Sequence, residues 1–143
     1  MDILNTFKIG GSALQAQSTR LNTISSNLAN IETTSTPEGG PYKKKSVYFQ
    51  STPLSFQEQL ETNMRAGLQG VTVTKIAEDS APPRLVYNPS HPDANPDGYV
   101  EMPNINTLEE MVDMMSATRS YQANVTSIKM AKRMAMKALE IGR

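Results

Sequence analysis

Cysteine is absent from the 143-residue chain, which excludes a disulfide framework and a thiolate metal site and leaves the redox compartment open. Tryptophan is absent too, and three Phe and five Tyr leave few large side chains to fill an interior. Apolar residues make up 38%, short of the roughly 45–50% of ordinary globular domains, so an isolated monomer has difficulty burying a sizeable core. An excess of one charge is missing as well: 14 basic and 14 acidic residues cancel. No overall field draws such a chain to nucleic acid or an anionic membrane, and its neutrality favours self-association. No apolar run reaches the roughly 18–20 residues that span a bilayer. Met1 to Thr6 also lacks the basic start and long apolar stretch of a cleavable signal, so export would need another route. A single histidine, His91, cannot build a histidine-rich metal site within one chain.

What is present divides the chain into three. All nine prolines lie between Pro37 and Pro103, so two proline-free ends flank a segment where long helices cannot run. The expected units are an amino-terminal helix over 1–31, an irregular, short-stranded middle over 32–106 and a carboxy-terminal helix over 107–143. In the first, Phe7, Leu14, Leu21 and Leu28 recur every seven residues, and Ile3, Ile24 and Ile31 fill the position three later. That is a heptad seam, interrupted near its start by Gly10 and Gly11. The opposite face, including Gln15, Asn22, Ser25 and Asn27, is almost uncharged and suits packing against neighbours.

The third unit opens at Thr107-Leu108-Glu109-Glu110, which reads as a capping box closed by Thr107 and Glu110. Apolar or small residues then recur at three and four spacing through Leu108, Met111, Met115, Val125, Ile128 and Leu139, broken by Gln122 and Lys132. Acidic residues at the start (Glu109, Glu110, Asp113) and basic ones toward the end (Lys129, Lys132, Arg133, Lys137) complement the helix dipole. Neither arm holds so long a helix alone in water. The expected fold is therefore mainly α with a small β module, its terminal helices pairing as a coiled-coil-like bundle around the proline-rich middle. The assembly interface falls on Phe7, Leu14, Leu21, Ile24, Leu28, Ile31, Met111, Met115, Val125, Ile128 and Leu139. Six methionines in the last helix add flexible, polarizable surface able to meet non-identical partners.

In the middle, Glu38-Gly39-Gly40-Pro41 reads as a turn, and residues 42–50, 70–76 and 84–87 read as strands. Residues 52–68 are polar, with weak helical spacing at Phe56, Leu60 and Met64. Asp93-Ala94-Asn95-Pro96-Asp97-Gly98 matches the opening of a calcium loop. Its twelfth position is Asn104 in place of the bidentate Glu, and Pro89, Pro92 and Pro96 preclude an entry helix, so the string reads as a polar turn. Ser90, His91 and Asp93 lie too close in sequence to align as a triad. Lys43-Lys44-Lys45 reads as a solvated strand edge. No catalytic residue, metal site or cofactor is expected.

Ser12-Ala13-Leu14 with Gln17, Leu21-Asn22 and Ser25-Ser26-Asn27-Leu28-Ala29-Asn30 resemble the amino-terminal signature of the flagellar rod and hook proteins. Residues 110–124, from Glu110-Met111-Val112 to Gln122-Ala123-Asn124, are similar to their carboxy-terminal motif. Thr36-Pro37-Glu38-Gly39-Gly40-Pro41-Tyr42, Pro83-Arg84-Leu85-Val86-Tyr87 and Met102-Pro103-Asn104-Ile105-Asn106 look like the middle of the proximal-rod members. The resemblance implies a structural subunit of the basal-body rod, and not an enzyme. It also implies export by the flagellar type III apparatus without a cleaved signal, a place in the rod that crosses the periplasm, and assembly with FlgB, FlgF, FlgG, FliE and further copies of itself. Neither nucleic acid nor a small-molecule substrate is implied.

Overall fold

The computed structural model of the chain describes residues 3–51 and 69–141; the 52–68 stretch, with its helical spacing at Phe56, Leu60 and Met64, lies outside the described residues. The proline-free ends form two long helices, α1 (Ile3–Ala29) and α2 (Thr107–Ile141). Between them come four short strands, β1 (Lys45–Ser51), β2 (Val71–Glu78), β3 (Arg84–Tyr87) and β4 (Tyr99–Met102). They pair as two antiparallel ribbons, β1 with β2 and β3 with β4. Two helices with two small antiparallel sheets make the fold mainly α with a small β module.

α1 runs unbroken through Gly10 and Gly11; the glycines interrupt the apolar seam and not the helix that carries it. Its hydroxyl-rich surface is satisfied internally: the Thr19 and Thr23 hydroxyls donate to the carbonyls of Gln15 and Thr19 at 3.1 and 3.0 Å. The helix stops where Asn30 closes over it, its side-chain amide donating to the Ser26 carbonyl at 2.8 Å. At the head of α2, the cap is one residue earlier than the capping box places it. Asn106 Oδ1 accepts from the Leu108 amide at 3.1 Å, and Glu110, instead of reaching back to Thr107, turns toward the other arm.

The arms run antiparallel. Asn27 faces Glu110, Arg20 faces Asp113, and Gly10 lies against Ile128, where an added Cβ would stand 2.8 Å from Ile128 Cγ1. Small side chains let the backbones approach, and the buried apolar set among the described residues follows this closeness: Ala16 and Ile24 on α1, Ala117 and Ala131 on α2. The remaining buried members, Val100 and Ile105, belong to β4 and the connection into α2.

The β1–β2 ribbon is tied to α1 at two levels. Asn27 Oδ1 accepts from the Lys45 amide at 2.9 Å, and Ser12 Oγ accepts from the Val71 amide at 3.1 Å. A bulge between Tyr48 and Phe49 bends β1. The β3–β4 ribbon pairs Tyr87 with Tyr99, whose rings meet edge to face at 5.3 Å. β4 was not among the expected strands; it follows a turn in which Gly98 adopts φ +82°. A side chain there would be strained by the backbone and would also meet Tyr87 Cε2 at 2.9 Å.

Candidate assembly surfaces

Where the arms meet the β module, a polar cluster replaces a hydrophobic core. Glu110 is 1% exposed. Its Oε1 lies 2.9 Å from Lys44 Nζ, and its Oε2 accepts from Asn27 Nδ2 at 3.1 Å. Asn27 is saturated: the same amide donates to the Lys45 carbonyl at 2.9 Å, and Oδ1 accepts from the Lys45 amide and from the Tyr42 hydroxyl at 3.2 Å. One side chain thus joins α1, β1 and α2. The hydrogen bond to Glu110 holds the Lys44 ammonium above its ordinary pKa, against burial, which pulls the other way; Glu109 and Asp113 add to the upward pull. The middle member of the basic run is therefore a partner of α2, and not a solvated strand edge. Arg20 and Asp113, 3.3 Å apart, extend the acidic–basic seam along the arms.

These pairings consume the acidic start of α2 inside the chain. They also set which face of the helix turns inward: Glu110, Ala117 and Ala131 are buried and Met114, Asn124 and Ile128 half-buried, whereas Leu108, Met111, Val112 and Met115 are exposed. Of the eleven residues expected at an interface, Ile24 is buried, Phe7, Leu14, Leu21, Leu28, Ile31, Val125 and Ile128 are half-buried, and Met111, Met115 and Leu139 are exposed. Met130, Met134 and Met136 are exposed as well. A monomer that leaves so many large apolar side chains in water has surface to cover.

Sequence reasoning missed Asn27, Lys44 and Glu110 as a unit. Nothing local marks contacts that bridge 83 residues, although a lone Lys-Lys-Lys run beside a Tyr in a neutral chain was a faint signal. The 93–98 string forms a turn onto β4, with the Asn95 amide donating to the Tyr99 carbonyl and the Gly98 amide to the Asn95 carbonyl, both at 2.8 Å. Asp93 accepts from the Thr34 hydroxyl at 2.7 Å, and His91 Nδ1 accepts from the Asp93 amide at 3.1 Å. That arrangement braces a loop and leaves no path from a hydroxyl through an imidazole to a carboxylate. Two open depressions of about 210 and 350 Å3 flank the Gly39–Lys43 turn. No helix among the described residues is long and apolar enough to cross a membrane.

Comparison with known proteins agrees with this geometry. A family described as flagella basal body rod protein matches residues 7–35, within α1 and the loop after it. A second, described as the flagellar basal body rod FlgEFG protein C-terminal, matches residues 97–141, which hold β4 and α2. The flagellar basal-body rod protein FlgC of Bacillus subtilis is 47% identical over the full length of both chains. That of Escherichia coli O6:H1 is 46% identical over 99% of each, and that of Borreliella burgdorferi 40% identical over 99% of this chain and 98% of its own. Identity sustained end to end, through both arms and the middle between them, leaves one conclusion: the chain belongs to the FlgC family of flagellar basal-body rod proteins.

Proposed function

We propose that the chain is a structural subunit of the flagellar basal-body rod, placed in its proximal part, where it joins other rod proteins in the helical shaft that transmits torque for motility. The observation that carries this is the end-to-end match to basal-body rod proteins, together with two paired arms whose outer apolar side chains, among the described residues, are exposed. The arms pair as a coiled-coil-like bundle, and units 1–31 and 107–143 form the tube-lining part while 32–106 lies between them. The assembly interface runs over Phe7, Leu14, Leu21, Leu28 and Ile31 of the first arm and Met111, Met115, Val125, Ile128 and Leu139 of the second, with Ile24 buried between the arms beneath it. FlgB, FlgF, FlgG, FliE and further copies of this chain are its neighbours. It reaches the rod, across the periplasm, through the flagellar type III apparatus and keeps its amino terminus. It acts by packing and performs no catalysis, and its relatives are rod proteins, not enzymes.

The test is deletion and complementation with fractionation. Deletion abolishes swimming, the plasmid-borne chain restores it, and the protein is recovered with purified basal bodies with an intact amino terminus. A chain that stays in the cytoplasm while rods assemble normally would mark a chaperone and overturn the reading.

A further inference from the structure

The zero net charge hides two poles. Of the described residues 30–48 and 75–110, which lie toward the end of the arms where Asn27 meets Glu110, nine are acidic and five basic, a balance of −4, while the tip of β1–β2 that reaches Ser12 carries no charge. At the other end, the described residues up to 11 and from 126 onward hold Lys8, Lys129, Lys132, Arg133 and Lys137 against Glu140 alone, a balance of +4. The antiparallel arms bring these groups to one place, since Gly10 lies against Ile128. The poles cannot serve each other. From Glu110 to Lys132 the helix rises about 33 Å, and charges in water are screened within about 8–10 Å. Attraction between them is realised only between molecules.

Each pole also carries exposed apolar surface. Met130 and Met134 stand among the bases of α2, 54% and 65% exposed. On β3–β4 one face of the ribbon presents Leu85 and Tyr87 beside Tyr99 and Glu101, cross-strand neighbours on the same side, with Leu85 60% and Tyr87 65% exposed. Asp97, in the turn before β4, and Glu101 form no ion pair with another described residue, nor do Lys129, Lys132 and Arg133. The acidic start of α2, the other candidate for a basic partner, is already taken by Lys44 and Arg20.

We infer that the basic, methionine-bearing end of α2 docks on the acidic, aromatic face of β3–β4 in a second copy of this chain. This deepens the rod reading by naming the contact. The two surfaces are different patches at opposite ends of one molecule, so the contact is heterologous and repeats head to tail without closing into a dimer. Apolar burial holds the contact and the charges set its polarity.

The chain has no cysteine, so single-cysteine variants report the contact cleanly. Purified Lys132→Cys mixed with Glu101→Cys yields crosslinked dimer, and neither variant alone does so to a comparable extent. Charge reversal gives a second arm. Lys129→Glu/Lys132→Glu/Arg133→Glu makes the α2 end acidic, and Asp97→Lys/Glu101→Lys makes the β3–β4 docking face basic while bringing its end from −4 to neutral. Each alone loses about tenfold or more in self-association by sedimentation, since an exposed pair is worth up to about fivefold and several are inverted. Mixing the two restores association, because each contact between the two variants then joins docking surfaces of unlike charge. A chain that stays monomeric at millimolar concentration, crosslinks within one variant as readily as between the two, or reversals that mixing does not rescue, would each overturn the contact. If the reversal variants enter basal bodies and the cells swim, the head-to-tail contact fails while the rod reading stands.

Discussion

Asn27 on α1 and Glu110 on α2 are 83 residues apart in sequence and 3.1 Å apart in space, Nδ2 to Oε2, with neither side chain open to water. The amide can serve the carboxylate only because its other proton and its oxygen are taken up by the Lys45 backbone. Asn27→Ala would orphan the Lys45 amide and carbonyl and weaken the hold on Glu110, which costs about 2–4 kcal/mol in total. Asn27→Asp, of equal size, should cost as much or more, because it sets a second carboxylate against Glu110. Chemical denaturation of the purified chain checks both; an Asn27→Asp variant as stable as the parent would show the cluster to be dispensable.

The Lys44–Glu110 pair makes the joint sensitive to alkali. Lys44 is raised above its ordinary value of 10.5, first by its hydrogen bond to Glu110. A raised pKa in the folded state means the stability it brings is complete below the unfolded value, therefore throughout neutral pH, and is lost as pH climbs above about 10.5 through the folded value. Lys44→Met should cost about 2–4 kcal/mol at pH 7, because it leaves Glu110 buried with only Asn27 to hold it, and should lose less stability than the parent between pH 9 and 11.5. Denaturation midpoints across that range decide it. Equal alkaline losses in both proteins would mean that other groups govern the response.

Gly10 and Ile128 predict a coupling of opposite sign to either substitution alone. Alanine in a helix is worth about 1 kcal/mol over glycine, yet a Cβ at Gly10 would stand 2.8 Å from Ile128 Cγ1 and force the arms apart, at a cost of about 1–3 kcal/mol. Gly10→Ala is therefore expected to destabilise. In an Ile128→Ala background, the same change should stabilise, since the space is free and the helix preference remains. A double-mutant cycle by thermal or urea unfolding measures the difference, expected at about 1–3 kcal/mol in favour of the pair, since the helix preference cancels and the clash alone remains.

Gly98 tests the β3–β4 ribbon in the same way. Its φ of +82° and the 2.9 Å approach to Tyr87 Cε2 leave no room for alanine, which should cost about 1–3 kcal/mol. Tyr87→Ala relieves the clash but not the backbone strain, so rescue in the double variant should be partial.

Much of this architecture is legible in the sequence. The confinement of proline to 37–103 forecasts where the helices run, and three of the four strands follow from alternation and turn residues. The face of α2 that turns inward does not follow. Ranking positions by apolar size selects Leu108, Met111 and Met115, yet the arms approach through Ala16, Ala117 and Ala131, and the large side chains are left outside. Small residues carry little hydrophobic signal, and their value appears only when a second backbone comes close enough to need them. Asn27 and Glu110 escape for a related reason: each reads as a surface residue until the partner that neutralises it arrives from the far end of the chain. The capping box fails likewise, because Lys44 and Asn27 offer Glu110 better partners than its own helix start does.

That division of α2 into an inner face of small and polar residues and an outer face of large apolar ones gives a separable prediction. Ile24→Asp puts an unpaired charge where 5% of the side chain is exposed; it should cost several kcal/mol and unfold the arms. Met111→Asp/Met115→Asp changes side chains that are 47% and 54% exposed, so circular dichroism and the unfolding midpoint of the isolated chain should stay within about 0.5 kcal/mol of the parent. Rod assembly should nevertheless fail, because the charges fall on surface that a neighbour has to cover. The variant would be secreted yet missing from basal bodies, and the cells non-motile. Methionine-to-leucine replacements at the same two positions should swim, which separates loss of apolar surface from loss of methionine itself. A motile Met111→Asp/Met115→Asp strain whose basal bodies contain the variant would show that this face lies against solvent in the rod.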